Sequence, residues 1–389
     1  MIKTLRVRLY PSNQQKVLLE KHFGSCRFVY NHFLDIRNKY YAEHKGDKRK
    51  GLSAFDTMKM LTQLKKETIW LNETNSQSLQ HSLVELDKAF KSFFKHNASY
   101  PNFRSKKDNQ YFIIPSGFKT RGNKLMVPKF IEGIEYRDES DIPDNIKQII
   151  ITKDIDRYYA SIQYEENKEL PRGQGIIGID MGIRPFATLS DGLQIEPLNA
   201  LRNKEKRLKR QQKKLSRKER GSGNRKKQIV RVQKVHQKIR DMRADFNHKV
   251  STAIAKHYGT VVVEELNVQG MQRNHNLAKS ITDQGWYQFK QMMEYKLQWR
   301  EGELIEIGRF DPSSKMCSNC GNVKHDLRLS DRTYHCNVCG FSMDRDLNAA
   351  MNIRNMGLIK VGKGIPEFTP VESATAAELS KGGLRVATL

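Results

Sequence analysis

The stretch CSNCGNVKHDLRLSDRTYHCNVCGFSMDRDLNAAMNI, residues 317–353, decides the fold. Its cysteines Cys317, Cys320, Cys336 and Cys339 have the spacing C-x2-C-x15-C-x2-C, and a glycine follows each pair (Gly321, Gly340). Such pairs form knuckles whose amides turn toward thiolates, so the spacing predicts a tetrahedral Zn2+ site. Four thiolates leave no open coordination position, which makes the site structural and excludes it as a centre of chemistry. The fifth cysteine, Cys26, is left over. That pattern suits metal binding in a reducing compartment better than a disulfide framework. Seven positions after Cys339 comes Asp346, in DRDLNAAMNI, where Ala349, Ala350 and Ile353 mark the packing side of a helix. An acid at a helix start gains from the macrodipole, and either Asp344 or Asp346 could serve simply as an N-cap.

Outward toward the N-terminus, two more acids end apolar runs. In HYGTVVVEELNVQGM (257–271), Val261, Val262 and Val263 read as a central strand, and Glu264 follows at once. A carboxylate there is costly to desolvate unless a cation meets it, whereas alternation points Glu265 to the opposite face. In PRGQGIIGIDMGIRPFATLSDG (171–192), a buried strand from Ile176 to Ile179 ends on Asp180 and a second strand ends at Asp191-Gly192. Asp180 taken alone could be a turn cap. Together, Asp180, Glu264 and Asp346 lie 84 and 82 positions apart, each beside an apolar run. Three carboxylates gathered in that way can hold two divalent ions for in-line attack of water on a phosphodiester.

Composition agrees with a phosphate-bearing partner. The 389 residues carry 69 Lys plus Arg against 43 Asp plus Glu, a formal net charge of +26. That charge implies a polyanion, most often nucleic acid. No 18-residue apolar run occurs, and the start, MIKTLRVRLYPSNQQ, lacks the apolar core of a signal peptide. Residues 202–240 hold 18 Lys or Arg and two Glu in two helix-favouring arms around GSGN (221–224), a basic hairpin whose self-repulsion phosphates would relieve. The first residues alternate as a strand that stops at Pro11. In SLQHSLVELDKAFKSFF (78–94), Leu79, Leu83, Leu86, Phe90 and Phe93 line one helix face. From 100 to 167 the texture is short β-rich runs, so a helical block interrupts a β domain.

These motifs together resemble the TnpB family, RNA-guided DNA nucleases of bacterial and archaeal insertion sequences related to type V CRISPR effectors. FGSCRFVYNHFL, YPNFRSKK, GIDMGIRPFATLSDG, the basic hairpin, VVVEELNVQGM and the cysteine ribbon leading into DRDLNAAMNI carry the resemblance over nearly the whole chain. It implies a multidomain α/β protein. A ribonuclease H-like RuvC nuclease domain is expected at 171–311 and 340–357, with a zinc-ribbon insertion at 312–339. A β-barrel-like wedge is expected at 1–11 and 97–170, with a helical recognition domain at 12–96. The tail, 358–389, is expected to be poorly ordered. The resemblance implies catalytic Asp180, Glu264 and Asp346 holding two Mg2+, a guide noncoding RNA, a double-stranded DNA target beside a short flanking motif, a monomer in the RNA complex, and a cytoplasmic, nucleoid-associated site of action. Expected nucleic-acid contacts are Arg27, Phe28, Tyr30, Asn31, Lys106, Lys107, Arg217, Lys218 and Arg225, although Phe28, Tyr30 and Asn31 could equally pack the helical domain. Two rivals, a DNA-joining transposase and a non-cleaving RNA-guided repressor, are disfavoured, the first by the family resemblance and the second by the intact acids.

Overall fold

The computed structural model describes residues 1–389 apart from 45–50, 138–141, 144, 168, 310, 329, 363, 365–373 and 389. The chain forms a mixed α/β structure of two compact units, Met1–Asn167 and Lys168–Leu389.

In the first unit, β1 (Ile2–Tyr10) buries Val7 and Leu9 by alternation and ends at Pro11. Ser12 then caps α1 (Asn13–Glu43) in a capping box with Gln15, and Ser53 with Asp56 does the same for α2 (Ala54–Glu67). The helix α3 (Ser76–Phe94) starts from Asn75 and buries Leu79, Leu83 and Leu86 completely. Each such leucine contributes roughly 1.5–3 kcal/mol relative to exposure. Six strands follow: β2 (Gln110–Ile114), β3 (Lys119–Arg121), β4 (Lys124–Val127), β5 (Phe130–Tyr136), β6 (Ile146–Asp154) and β7 (Arg157–Glu165). With β1 they make an antiparallel sheet in the order β2-β6-β7-β1-β5-β4-β3. The helices thus interrupt a sheet whose first strand precedes them, and one core spans both.

The second unit opens with β8 (Ile176–Met181), β9 (Ala187–Leu189) and β10 (Leu193–Ile195). The basic hairpin is α4 (Ala200–Ser216) and α5 (Gly223–His257), turned at Gly221 and capped by Ser222. Next come β11 (Thr260–Glu264), short helices α6 (Val268–Met271) and α7 (Ala278–Gln284), α8 (Trp286–Gln298) and β12 (Glu303–Ile307). The ribbon hairpin, β13 (Thr333–His335) and β14 (Ser342–Asp344), runs into α9 (Arg345–Lys360). The sheet order is β12-β11-β8-β9-β10 plus a last edge strand, and β12, β11 and β8 are parallel. Helices cover both faces. Val261 and Val263 pack toward α5 and α8, while Val262 packs with Ile353 of α9. That is why this strand reads as an unbroken apolar run rather than an alternating one.

The tail corrects one expectation. Its described part is ordered: α10 (Ala374–Lys381) lies on α5, and β15 (Val386–Thr388) pairs antiparallel with β10 as that edge strand. Burial of Leu379 in the second unit's core and contacts from Glu378 to His257 Nε2 (2.9 Å) and Lys256 (3.2 Å) hold it. The remainder of the expected disorder, 363 and 365–373, lies outside the described residues.

Candidate carboxylate and cysteine centres

Strand pairing brings the first two acids together. The parallel register sets Val263 against Ile179, so the next residues, Glu264 and Asp180, leave adjacent strand ends on the same side. The helix α9 supplies the third. A Cβ at Gly178 would lie 2.2 Å from the Ala350 carbonyl oxygen, and one at Gly357 would lie 2.5 Å from Val262. These two glycines let α9 sit directly on β8 and β11. From that contact, four helical residues back to Asp346 and two strand residues forward to Asp180 cover the same distance, about 6 Å.

The charges feel one another. Burial first, then Glu264 and Asp346, hold the Asp180 carboxyl well above the usual carboxylate range, with Arg345 opposing. Burial and Asp344 also raise Asp346. Asp344 itself is the N-cap: its Oδ1 accepts from the amides of Asp346 (2.9 Å) and Leu347 (3.0 Å). Glu265 is exposed, past the end of the strand. Glu264 Oε1 accepts a hydrogen bond from the hydroxyl of Ser313. Sequence reading missed that residue, and it also missed Asn348 and Asn352, which are fully buried. The signal available was a polar pair at i, i+4 in a stretch that is otherwise apolar, Leu347 to Ile353.

The four cysteines form the other centre. Their sulfurs all lie within 4.8 Å of one another, with Cys317–Cys339 at 3.7 Å and Cys320–Cys336 at 3.6 Å. A tetrahedron of sulfurs 2.3 Å from a zinc ion has edges of about 3.8 Å, so the donors fit that ion. Gly321 and Gly340 both take positive φ (75° and 71°), each amide donating back to the first cysteine of its pair. The backbone amide of Phe341 pulls the Cys339 thiol down to about 6. Among the described residues this is the one group of three or more possible ligands gathered closely enough to share an ion. The acids are electrostatic neighbours without that spacing. The hairpin β13–β14 carries the chain past the second cysteine pair to Asp344, whose side chain caps α9.

The expected nucleic-acid contacts separate into two groups. Lys106, Lys107, Arg217 and Lys218 are exposed, and Phe28 is 37% exposed against the edge of Trp70. The others have partners within the chain. Tyr30 is 4% exposed beneath the Arg104 guanidinium, 3.7 Å from its ring. The Asn31 amide clamps the Arg104 backbone at both ends (2.8 Å each). Arg27 bonds Gln110. Arg225 donates to the carbonyls of Leu215 and Lys218, both 3.0 Å away, and braces the hairpin turn.

Three family models match: "Probable transposase" over 160–275, "Cas12f1-like, TNB domain" over 286–353 and "Helix-turn-helix domain" over 1–46. Over the last range the structure has a strand and one long helix. The chain is 32% identical over 375 residues to "Putative RNA-guided DNA endonuclease InsQ" of Escherichia coli (92% of each chain). It is 36% identical over 364 residues to a "Putative RNA-guided DNA endonuclease" of Streptomyces pristinaespiralis (92% of this chain, 89% of the relative). It is 24% identical over 393 residues to "TnpB-like protein L770" of Acanthamoeba polyphaga mimivirus (92% and 74%). No described helix is long and apolar enough to cross a membrane.

Proposed function

Because this chain belongs to the family of TnpB-like RNA-guided DNA endonucleases, we propose that it binds a guide noncoding RNA derived from a transposon end, pairs it with double-stranded DNA beside a short flanking motif, and cleaves that DNA at Asp180, Glu264 and Asp346. In this reading the second unit is a ribonuclease H-like RuvC domain with a zinc-ribbon insertion, and the first combines a wedge sheet with a helical recognition domain. The protein acts as a monomer with its RNA, in the cytoplasm at the nucleoid.

The observation that supports the reading is the convergence on Asp180: two adjacent parallel strands and one helix start bring Glu264 and Asp346 near enough to raise the cost of its charge. Such a cluster is a poor stability element and a good cation cradle. Hard oxygen donors suit Mg2+, and when bound the metal would polarise the phosphoryl oxygen and activate water. The chain's own part is positional. Asp180 and Glu264 are fixed by the sheet, and Asp346 by the glycine-cushioned seat of α9. Guide pairing carries sequence recognition, and basic side chains such as Lys106, Lys107, Arg217 and Lys218 grip the backbone. The cysteines would hold Zn2+ as a folding element.

The test is guided cleavage in Mg2+ with the RNA that copurifies with the protein. Asp180→Ala, Glu264→Ala and Asp346→Ala should each abolish cutting and keep guide and target binding, and a double variant should be little worse than a single one. Glu265→Ala should still cut, since its side chain faces solvent. Continued cutting by all three single variants would end the reading; binding without cutting by the wild type would favour a repressor.

A further inference from the structure

Building on the nuclease reading of the carboxylate site, we propose that Ser313 is a positioning residue for Glu264, held in place by the two buried asparagines of α9 that also seat the first cysteine knuckle. Ser313 is 5% exposed, and its hydroxyl donates to Glu264 Oε1 across 49 positions of sequence. A hydroxyl has one hydrogen to give. Spent on Oε1, it takes up one oxygen of the carboxylate and fixes the orientation of the other. Local turns do not account for the contact, because the bond reaches to the end of β11 rather than to the neighbouring backbone.

Ser313 is itself held. Its carbonyl accepts from Asn352 Nδ2 at 2.7 Å, and the same nitrogen donates to the Met316 carbonyl at 2.6 Å. One turn earlier on α9, Asn348 donates to that Met316 carbonyl (2.7 Å) and accepts from the Ser318 amide (3.0 Å). Met316 and Ser318 flank Cys317, the first knuckle ligand. Both asparagines are fully buried, so each of these bonds is made without competition from water. A continuous path therefore runs from the cysteine knuckle through Asn348 and Asn352 to Ser313 and Glu264, and it is built on the helix that carries Asp346. The ribbon is the footing of the carboxylate site as well as an excursion from it. Partners of this kind, which orient a metal-binding side chain without touching the ion, commonly change metal affinity or activity by about 10–100-fold when removed.

The experiment uses the full chain and Mn2+ as the probe. Mn2+ binding is measured by electron paramagnetic resonance without nucleic acid, and guided cleavage is titrated with Mn2+ in parallel. Ser313→Ala should weaken Mn2+ in both by about 10-fold, with cleavage recovering at high Mn2+, while zinc content and guide-RNA binding stay at wild-type level. Ser313→Thr, which keeps the hydroxyl, should restore affinity. The proposal is overturned by wild-type Mn2+ affinity in Ser313→Ala, by a threonine variant no better than alanine, or by zinc and RNA binding lost together with cleavage, which would mark a folding role. Glu264→Gln separates the two readings: if it too retains binding and cleavage, the nuclease assignment fails; if it loses both while Ser313→Ala loses neither, only the role of Ser313 fails.

Discussion

At the proposed site, Asp180 is a side chain held at the expense of stability. Burial, then the neighbouring Glu264 and Asp346, raise its pKa in the folded chain. The folded state therefore keeps a proton that the unfolded state releases near its ordinary value of about 4, and stability is lost as pH rises above that point. In magnesium-free buffer, Asp180→Asn should melt higher than wild type at pH 8 and lose that advantage toward pH 4, as thermal unfolding would show. An equal gap at both ends would mean that charge is not the cause. Asp180 stood out as a candidate because an acid at the end of an apolar run is conspicuous. Ser313 was not, since a serine in DPSS carries no trace of a partner 49 positions away. Tyr30 and Asn31 were left open for a related reason: in a basic, aromatic stretch, a helix face that binds nucleic acid and one that packs inward look alike, and their contacts with Arg104 come from a distant loop.

At the scale of elements, two placements matter. The helix α9 owes its seat to Gly178, where a Cβ would meet the Ala350 carbonyl at 2.2 Å. Gly178→Ala should push α9 off the sheet, lowering both melting temperature and guided cleavage, since Asp346 moves with the helix. Full cleavage in that variant would show that the seat tolerates a shift. The basic hairpin was readable from GSGN and its charge, yet the division of labour within it was not. Arg217 and Lys218 face solvent, whereas Arg225 is occupied by the carbonyls that close the turn. Changing Arg217 and Lys218 to Gln should therefore flatten the salt dependence of nucleic-acid binding by up to about one unit of log-log slope for each phosphate no longer neutralised. Arg225→Gln should mainly lower hairpin stability, with the slope nearly kept. Equal slope changes from both would contradict the brace.

For the molecule as a whole, the tail matters more than its sequence advertises. An isolated eight-residue helix is too short to persist in water, and a three-residue strand has no independent stability. Sequence reading expected 358–389 to be poorly ordered, because Gly, Pro and small residues show no apolar periodicity there. Its order comes instead from partners over a hundred positions earlier: α5 receives Leu379 and Glu378, and β10 receives β15. Ending the chain after Val361 leaves α9 whole but removes a leucine that is 1% exposed and uncovers the β10 edge. Losing one such leucine from a core costs about 2–5 kcal/mol, and for a unit of this size each kilocalorie is worth roughly 2–4 °C, so the second unit should melt about 5–15 °C lower. The bare edge should also promote aggregation. Leu379→Ala, which keeps the strand, should reproduce most of the melting shift without the aggregation. A shortened chain that melts like the full one would mean that α10 and β15 rest on the sheet without supporting it; a loss confined to the edge effect would place the tail's contribution in β15 rather than in Leu379.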